Sequence, residues 1–291
     1  MQSYVTETAS GSDRPGYAVV PTAGMCAVLR LSSRDDCVPR PVAIARGSVT
    51  PRAISVSMEA QIAPPTSIIE RTLTAEIKLY YDLHLPQQTP APLLIALHGY
   101  GASMRQMMRE ARSVAPADFA IVSLQGPHQH LKEPKEPGGP LRFGFGWLTN
   151  FHPEESIAIH QRALLEIIDS LANEGVADPK RVFLLGFSQS CALNYRFAFT
   201  HGDVLRGVIG TCGGLPGDWE TGVDYRPTET RIFHLSGERD EFYPPARTKD
   251  YAAQLRTRAR EVESRSYDAG HEVVQAMRDD IRDWLTKLSC A

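Results

Sequence analysis

The stretch Arg181-Val-Phe-Leu-Leu-Gly186-Phe187-Ser188-Gln189-Ser190-Cys191-Ala-Leu-Asn-Tyr195 leaves this chain few ways to fold. Val182 to Leu185 is a short, continuous apolar run, the mark of a buried strand. From Ser190 onward Ala192, Leu193 and Phe197 follow a helical period. Between strand and helix stands Gly-Phe-Ser-Gln-Ser, which matches the G-x-S-x-G nucleophile elbow except at Ser190, where the pattern has Gly. A serine in such a strand–turn–helix is lifted off the strand end, its hydroxyl exposed and the next backbone N–H aimed at the same space. The glycines of the pattern exist because strand and helix pass very close, so a small residue such as Ser is the plausible replacement. An ordinary strand-to-helix turn would look the same locally, and the other loops of the chain must decide.

The rest of the composition narrows the class. The net charge of −3 and 22% charged residues give no basic surplus for nucleic acid and no charged block for an acidic or basic partner. No apolar run approaches the roughly 18 residues of a membrane helix, so no stable membrane insertion is expected. The N-terminus lacks the basic-then-apolar layout of a signal peptide. The five cysteines show neither metal-type spacing nor an even count. No metal, no cofactor and a reducing, cytoplasmic setting are therefore expected.

Residues 1–65 are rich in Ser, Thr, Pro, Arg and Ala and carry no sustained period. They are expected to be a disordered extension, with Met58 as an alternative start. From residue 66 to 291 the pattern is regular. Ile68–Leu73 and Ile77–Leu85 read as two strands forming an antiparallel edge, and Leu93–Leu97 as a buried strand. Ser103 caps a helix to Val114, and Phe119–Leu124 is the next strand. Gln125–Asn150, full of Gly and Pro, reads as a long aperiodic loop of the functional kind. A helix follows from about His152 to Gly175, with Ile157, Ala163, Leu164, Ile167, Ile168 and Leu171 inside. Beyond the elbow come strands at 205–211 and 230–236, a helix at 246–259, a strand at 261–267 and a closing helix at 272–288. Strand alternating with helix implies one α/β domain with a mostly parallel central sheet and helices on both faces.

In such sheets the working residues sit beyond the C-terminal strand ends. A serine hydroxyl needs an imidazole to take its proton, and the imidazole needs a carboxylate to fix its tautomer. In this architecture they follow in the order Ser, acid, His. After Ser188 the histidines are His201, His234 and His271. His234 lies inside an apolar strand and His201 ends the helix after the elbow. His271 lies in the turn Asp268-Ala-Gly-His271, where the base belongs. Asp240 follows its strand by a short turn and is the first choice of acid over Glu238, Glu241 and Asp268. The oxyanion donors are expected to be the backbone N–H of Gln189 and, from His98-Gly99-Tyr100, that of Tyr100, with His98 shaping the loop. Cys191 reads as packing, since the elbow position itself holds Ser.

Taken together, Leu97-His98-Gly99-Tyr100-Gly101, Gly186-Phe187-Ser188-Gln189-Ser190, Ser236-Gly237-Glu238-Arg239-Asp240 and Gly270-His271 resemble the phospholipase/carboxylesterase (acyl-protein thioesterase-like) branch of the α/β-hydrolases. The resemblance spans roughly residues 66–291. It implies an α/β-hydrolase fold with a triad at Ser188, Asp240 and His271, oxyanion donors at Tyr100 and Gln189, and hydrolysis of a small-molecule carboxylic or thio ester through an acyl-serine. A peptidase or lipase of the same fold is the second reading. A non-catalytic binding module of that fold is a third, and such modules usually lack one of Ser, Asp or His. Phe143, Phe145 and Trp147, set among glycines in the long loop, are expected to line the substrate site.

Overall fold

A computed structural model describes residues 68–202, 204–222 and 224–290. The expectations for residues 1–65 lie outside the described residues. From Thr72 onward the chain forms one compact unit. It opens with β1 (Tyr81–His84), β2 (Ala91–Leu97), α1 (Met104–Val114) and β3 (Ala120–Leu124). Next come a hairpin of β4 (His128–Lys132) and β5 (Arg142–Gly146), the long helix α2 (Pro153–Asn173), β6 (Ala177–Phe187) and α3 (Gln189–Thr200). The last part holds β7 (Gly207–Thr211), β8 (Arg231–Gly237), α4 (Pro245–Thr248), α5 (Tyr251–Arg256), β9 (Val262–Tyr267) and α6 (Gln275–Ser289).

The main sheet has seven strands in the order β1-β3-β2-β6-β7-β8-β9. All neighbours are parallel except β1 and β3. Because successive side chains of a strand point to opposite faces, each strand supplies two cores. Leu93, Ile95 and Leu97 of β2, with Val182 and Leu184 of β6, pack with Ala163, Leu164, Ile167 and Leu171 of α2 and with α3. The intervening Leu94, Ala96, Phe183 and Leu185 pack on the other face with Met107, Ala111 and Val114 of α1 and Ile281, Trp284 and Leu285 of α6. Burial on both faces is why these strands read as continuous apolar runs and not as alternating ones.

The strand order also fixes where a ligand can sit. From β2 the chain crosses to β3 on one side, and from β3 it returns to β6 on the other. The crevice between β2 and β6 is thus the topological switch point of the sheet. Leu97 and Gly186 lie opposite each other at its mouth. The chain past Leu97 and the elbow past Gly186 must therefore diverge around one space.

Three expectations are corrected. Ile68–Leu73 forms no strand, and Ile68, Ile69 and Leu73 are 100%, 66% and 87% exposed. β1 alone supplies the antiparallel edge, pairing with β3. The long loop at 125–150 contains the β4–β5 hairpin, a separate two-stranded sheet. The expected helix at 246–259 is two short helices, α4 and α5.

Candidate active site

Ser188 lies between β6 and α3 with φ 56° and ψ −115°. That left-handed backbone costs a non-glycine residue about 1–3 kcal/mol and persists where the surroundings over-determine it. Here they do. The Ser188 N–H donates to the Thr211 carbonyl at 3.0 Å, and Cys191 N–H donates back to the Ser188 carbonyl at 3.1 Å. Gly186 is required by proximity: a Cβ there would stand 2.8 Å from Asn194 Nδ2 and 3.2 Å from Cys191 Cα. The turn delivers the Ser188 hydroxyl at the N-terminus of α3, the end of a helix that favours developing negative charge.

His271 reaches the same point from the turn between β9 and α6. Its Nε2 is 3.0 Å from Ser188 Oγ, and its Nδ1 is 2.9 Å from Asp240 Oδ2. A carboxylate oxygen only accepts, so Nδ1 carries the ring proton and Nε2 is left to accept from the serine hydroxyl. Asp240 is 2% exposed, and its Oδ1 accepts from the N–H groups of Phe242 at 2.9 Å and Tyr243 at 2.8 Å. The acid is thereby clamped by its own loop while the other oxygen holds the imidazole. Glu238 and Glu241 are exposed, and Asp268 pairs with Arg239 at the surface. The rings of Phe242, Phe187 and Tyr243 lie 4.8, 4.9 and 5.9 Å from that of His271 and fix its plane.

Opposite the elbow, the loop after β2 is built around His98. This buried imidazole accepts at Nε2 from Gly126 N–H at 3.0 Å, which leaves its proton on Nδ1, 2.8 Å from the Gly99 carbonyl. Burial pushes its pKa down, and it touches neither Ser188 nor His271 among the contacts of the described residues. The backbone N–H groups of Tyr100 and Gln189 donate to no protein acceptor among the described residues. Gln189 instead uses its side chain, whose Oε1 accepts from Trp147 N–H at 2.8 Å.

The aromatics expected around the substrate divide. Trp147 is 1% exposed, donates from Nε1 to the His98 carbonyl at 2.7 Å and stands edge-on to His160. That leaves it no surface to meet a substrate, and its place is corrected to one beneath the loop. Phe145 joins the hairpin to the loop after β2, its carbonyl accepting from Gly101 N–H at 2.8 Å and its N–H donating to the Ala102 carbonyl at 3.2 Å. Phe143 lies on the outer face opposite Leu131 and is 60% exposed. Residues with no signal in the motifs are Phe242 and Tyr243, which frame His271; Ser190, the motif's departure, is wholly buried.

Burial pushes the Cys212 thiol up to about 12 and the Cys191 thiol higher still, so neither is poised as a thiolate. Among the described residues no group of three or more His, Cys, Asp or Glu is arranged to hold a metal ion. Among them, too, no helix is long and apolar enough to cross a membrane.

Residues 81–289 match the family model described as Phospholipase/Carboxylesterase. A putative esterase, NocK, from Nocardia uniformis subsp. tsuyamanensis is 26% identical over 216 residues, covering 71% of this chain. The match spans 58% of that relative's length. Among solved structures, the carboxylesterase of Bacillus cereus superposes with a TM-score of 0.58 at 18% identity, covering 72% of this chain and 94% of that one. The acyl-protein thioesterase 2 of Zea mays superposes at 0.52 with 17% identity, covering 72% and 98%. At such identities these structures attest the α/β-hydrolase fold.

Proposed function

Because the chain belongs to the phospholipase/carboxylesterase family of α/β-hydrolases, we propose that it hydrolyses carboxylic or thio esters through an acyl-serine intermediate. Ser188 is the nucleophile, His271 its base and Asp240 the group that orients the base. The observation that carries this reading is the unbroken chain from Asp240 Oδ2 through the imidazole to Ser188 Oγ, at 2.9 and 3.0 Å.

The chemistry follows from those atoms. Ser188 Oγ adds to the ester carbonyl carbon as its proton passes to His271 Nε2, and Asp240 stabilises the resulting imidazolium. The carbonyl electron pair moves onto oxygen, which the N–H groups of Tyr100 and Gln189 receive. Collapse of this adduct breaks the bond to the alcohol or thiol, which leaves with the proton from Nε2. Water then repeats the sequence on the acyl-serine, giving up a proton to Nε2 and releasing the carboxylic acid with Ser188 restored. Free thiols at Cys191, Cys212 and Cys290 suit a reducing compartment such as the cytoplasm.

The exposed ring of Phe242, 4.8 Å from that of His271, favours an apolar substituent on the ester. The test is a panel of p-nitrophenyl esters from acetate to palmitate, with an acyl-CoA and a lysophospholipid beside them. Turnover of at least one ester, abolished in Ser188→Ala, is expected. Turnover that survives Ser188→Ala unchanged would contradict the reading. The hydrolase unit is residues 66–291, so a chain starting at Met58 should turn over the same esters at the full-length rate. An inactive truncation would place part of the site in the residues removed.

A further inference from the structure

The elbow pattern has Gly where this chain has Ser190, and the substitution is not silent. Ser190 is 0% exposed, and a buried hydroxyl must find partners or weaken the fold. It finds them on two separate strands. Its Oγ accepts from the Phe187 N–H at 3.0 Å and donates to the Leu97 carbonyl at 2.8 Å, with the Phe187 carbonyl at 3.1 Å as an alternative acceptor for the same proton. Leu97 closes β2 and lies three positions before Tyr100. Phe187 closes β6 and lies two positions before Gln189. At this level the parallel ladder ends, with Leu97 opposite Gly186 as its last pair, and the two chains part around the candidate site.

We propose that Ser190 is a positioning residue: its hydroxyl rivets the end of β2 to the elbow and so fixes the spacing of the Tyr100 and Gln189 N–H groups. The proposal builds on the acyl-serine reading of the same site. An oxyanion is stabilised only where both donors reach it together, at about 2.7–3.1 Å. These two belong to different strands, and nothing in the local backbone of either fixes the distance between them. On the outer side the loop and the elbow are tied through Trp147, which bonds both the His98 carbonyl and Gln189 Oε1. Ser190 supplies the tie on the inner side. With Gly at this position the inner tie would be missing, and a shift well under 1 Å would already be felt in the transition state.

The test compares wild type with Ser190→Gly, Ser190→Ala and Ser190→Thr. Glycine cannot clash, and threonine keeps the hydroxyl. Four quantities are read: kcat and KM for a short p-nitrophenyl ester, the inhibition constant of a trifluoromethyl ketone, and Tm. The ketone adds to the serine and places an oxyanion where the transition state does. Removal of the hydroxyl should lower kcat about tenfold with KM within about twofold, and weaken the ketone by the same factor as kcat. A folded threonine variant should retain both. Loss of Tm alone would not produce this pattern, because a merely structural serine has no reason to discriminate the ketone from the substrate. Wild-type kcat and ketone affinity in the glycine and alanine variants would overturn the proposal, whatever their Tm. Were wild type itself to fail to label with a fluorophosphonate at Ser188, the acyl-serine reading would fall, and not merely the role of Ser190.

Discussion

The elbow and the β4–β5 hairpin both border the candidate site, and they are held there by different means. The elbow is part of the core. Gly186 lets α3 pass within contact of β6, Ser190 and Asn194 are wholly buried, and hydrogen bonds to Thr211 and Leu97 tie it to both neighbouring strands. The hairpin is laid on from outside. It meets the loop after β2 through Gly144, where a Cβ would stand 2.8 Å from Gly101 Cα, and through Lys132 Nζ, 3.0 Å from the Gly101 carbonyl. Its outer face leaves Leu131 and Phe143 about 60% exposed. The positions of Ser188, Asp240 and His271 are thus fixed by the sheet, while the wall beside them can change without the sheet changing.

The largest effect is expected from a residue locked into the core side. Asp240→Asn keeps the shape of the clamp but lets the wrong ring nitrogen face Ser188. It should lower kcat/KM on the order of 10⁴-fold, about 5 kcal/mol of transition-state stabilisation, with the fold intact. Near-normal kinetics for this variant, with Glu238→Gln crippled, would move the acid to Glu238. A pair of glycine substitutions then separates the two regions. Gly186→Val should destabilise the whole unit by more than about 3 kcal/mol, since backbone and a buried side chain must both give way. Gly144→Val should displace the hairpin and cut activity while leaving the urea midpoint of the sheet close to wild type. Equal losses of stability in both would show that the hairpin is core after all.

Acid should loosen the elbow side from behind. His160 of α2 and His234 of β8 each bond a residue of α3, Asn194 and Tyr195, and burial lowers both pKa values to about 4. Between the unfolded imidazole value of about 6.5 and 4, the unfolded chain binds protons that the folded one refuses. Stability is therefore full above about 6.5 and falls as the pH drops toward 4, by on the order of 3 kcal/mol per histidine at the limit. Urea midpoints measured from pH 7 to 4 check this, and His160→Gln or His234→Gln should flatten the slope. A slope unchanged in both variants would assign the acid sensitivity elsewhere. The smallest effect belongs to the hairpin's outer face. Phe143→Ala should alter Tm by less than about 1 kcal/mol equivalent and change only the ranking of ester substrates. An unaltered ranking would remove Phe143 from the substrate wall.

How much of this was legible follows the same division. The apolar run ending at Gly186, the helical period after Ser190 and the chain order of Asp240 and His271 are local signals, and the sheet brings those three loops together as its topology requires. Even the preference for Asp240 has a local cause, since its side chain caps the N–H groups of Phe242 and Tyr243 just downstream. The hairpin was hidden because Gly144 and Gly146 occupy its inward positions, and glycine registers as neither apolar nor polar in an alternating pattern. Trp147 reads as a pocket aromatic until its partners are known, and those are His98 and His160, distant in sequence. The hydroxyl of Ser190 is likewise silent until Leu97 is seen beside it.

The proposed acyl-serine rests on Ser188. The most direct measurement is peptide mass spectrometry after reaction with a fluorophosphonate, and after rapid acid quench during turnover of a slow ester. One adduct is expected, on the peptide containing Ser188, absent from Ser188→Ala and formed far more slowly in Asp240→Asn. An adduct on any other residue, or steady ester turnover with Ser188 unmodified at every time point, would contradict it.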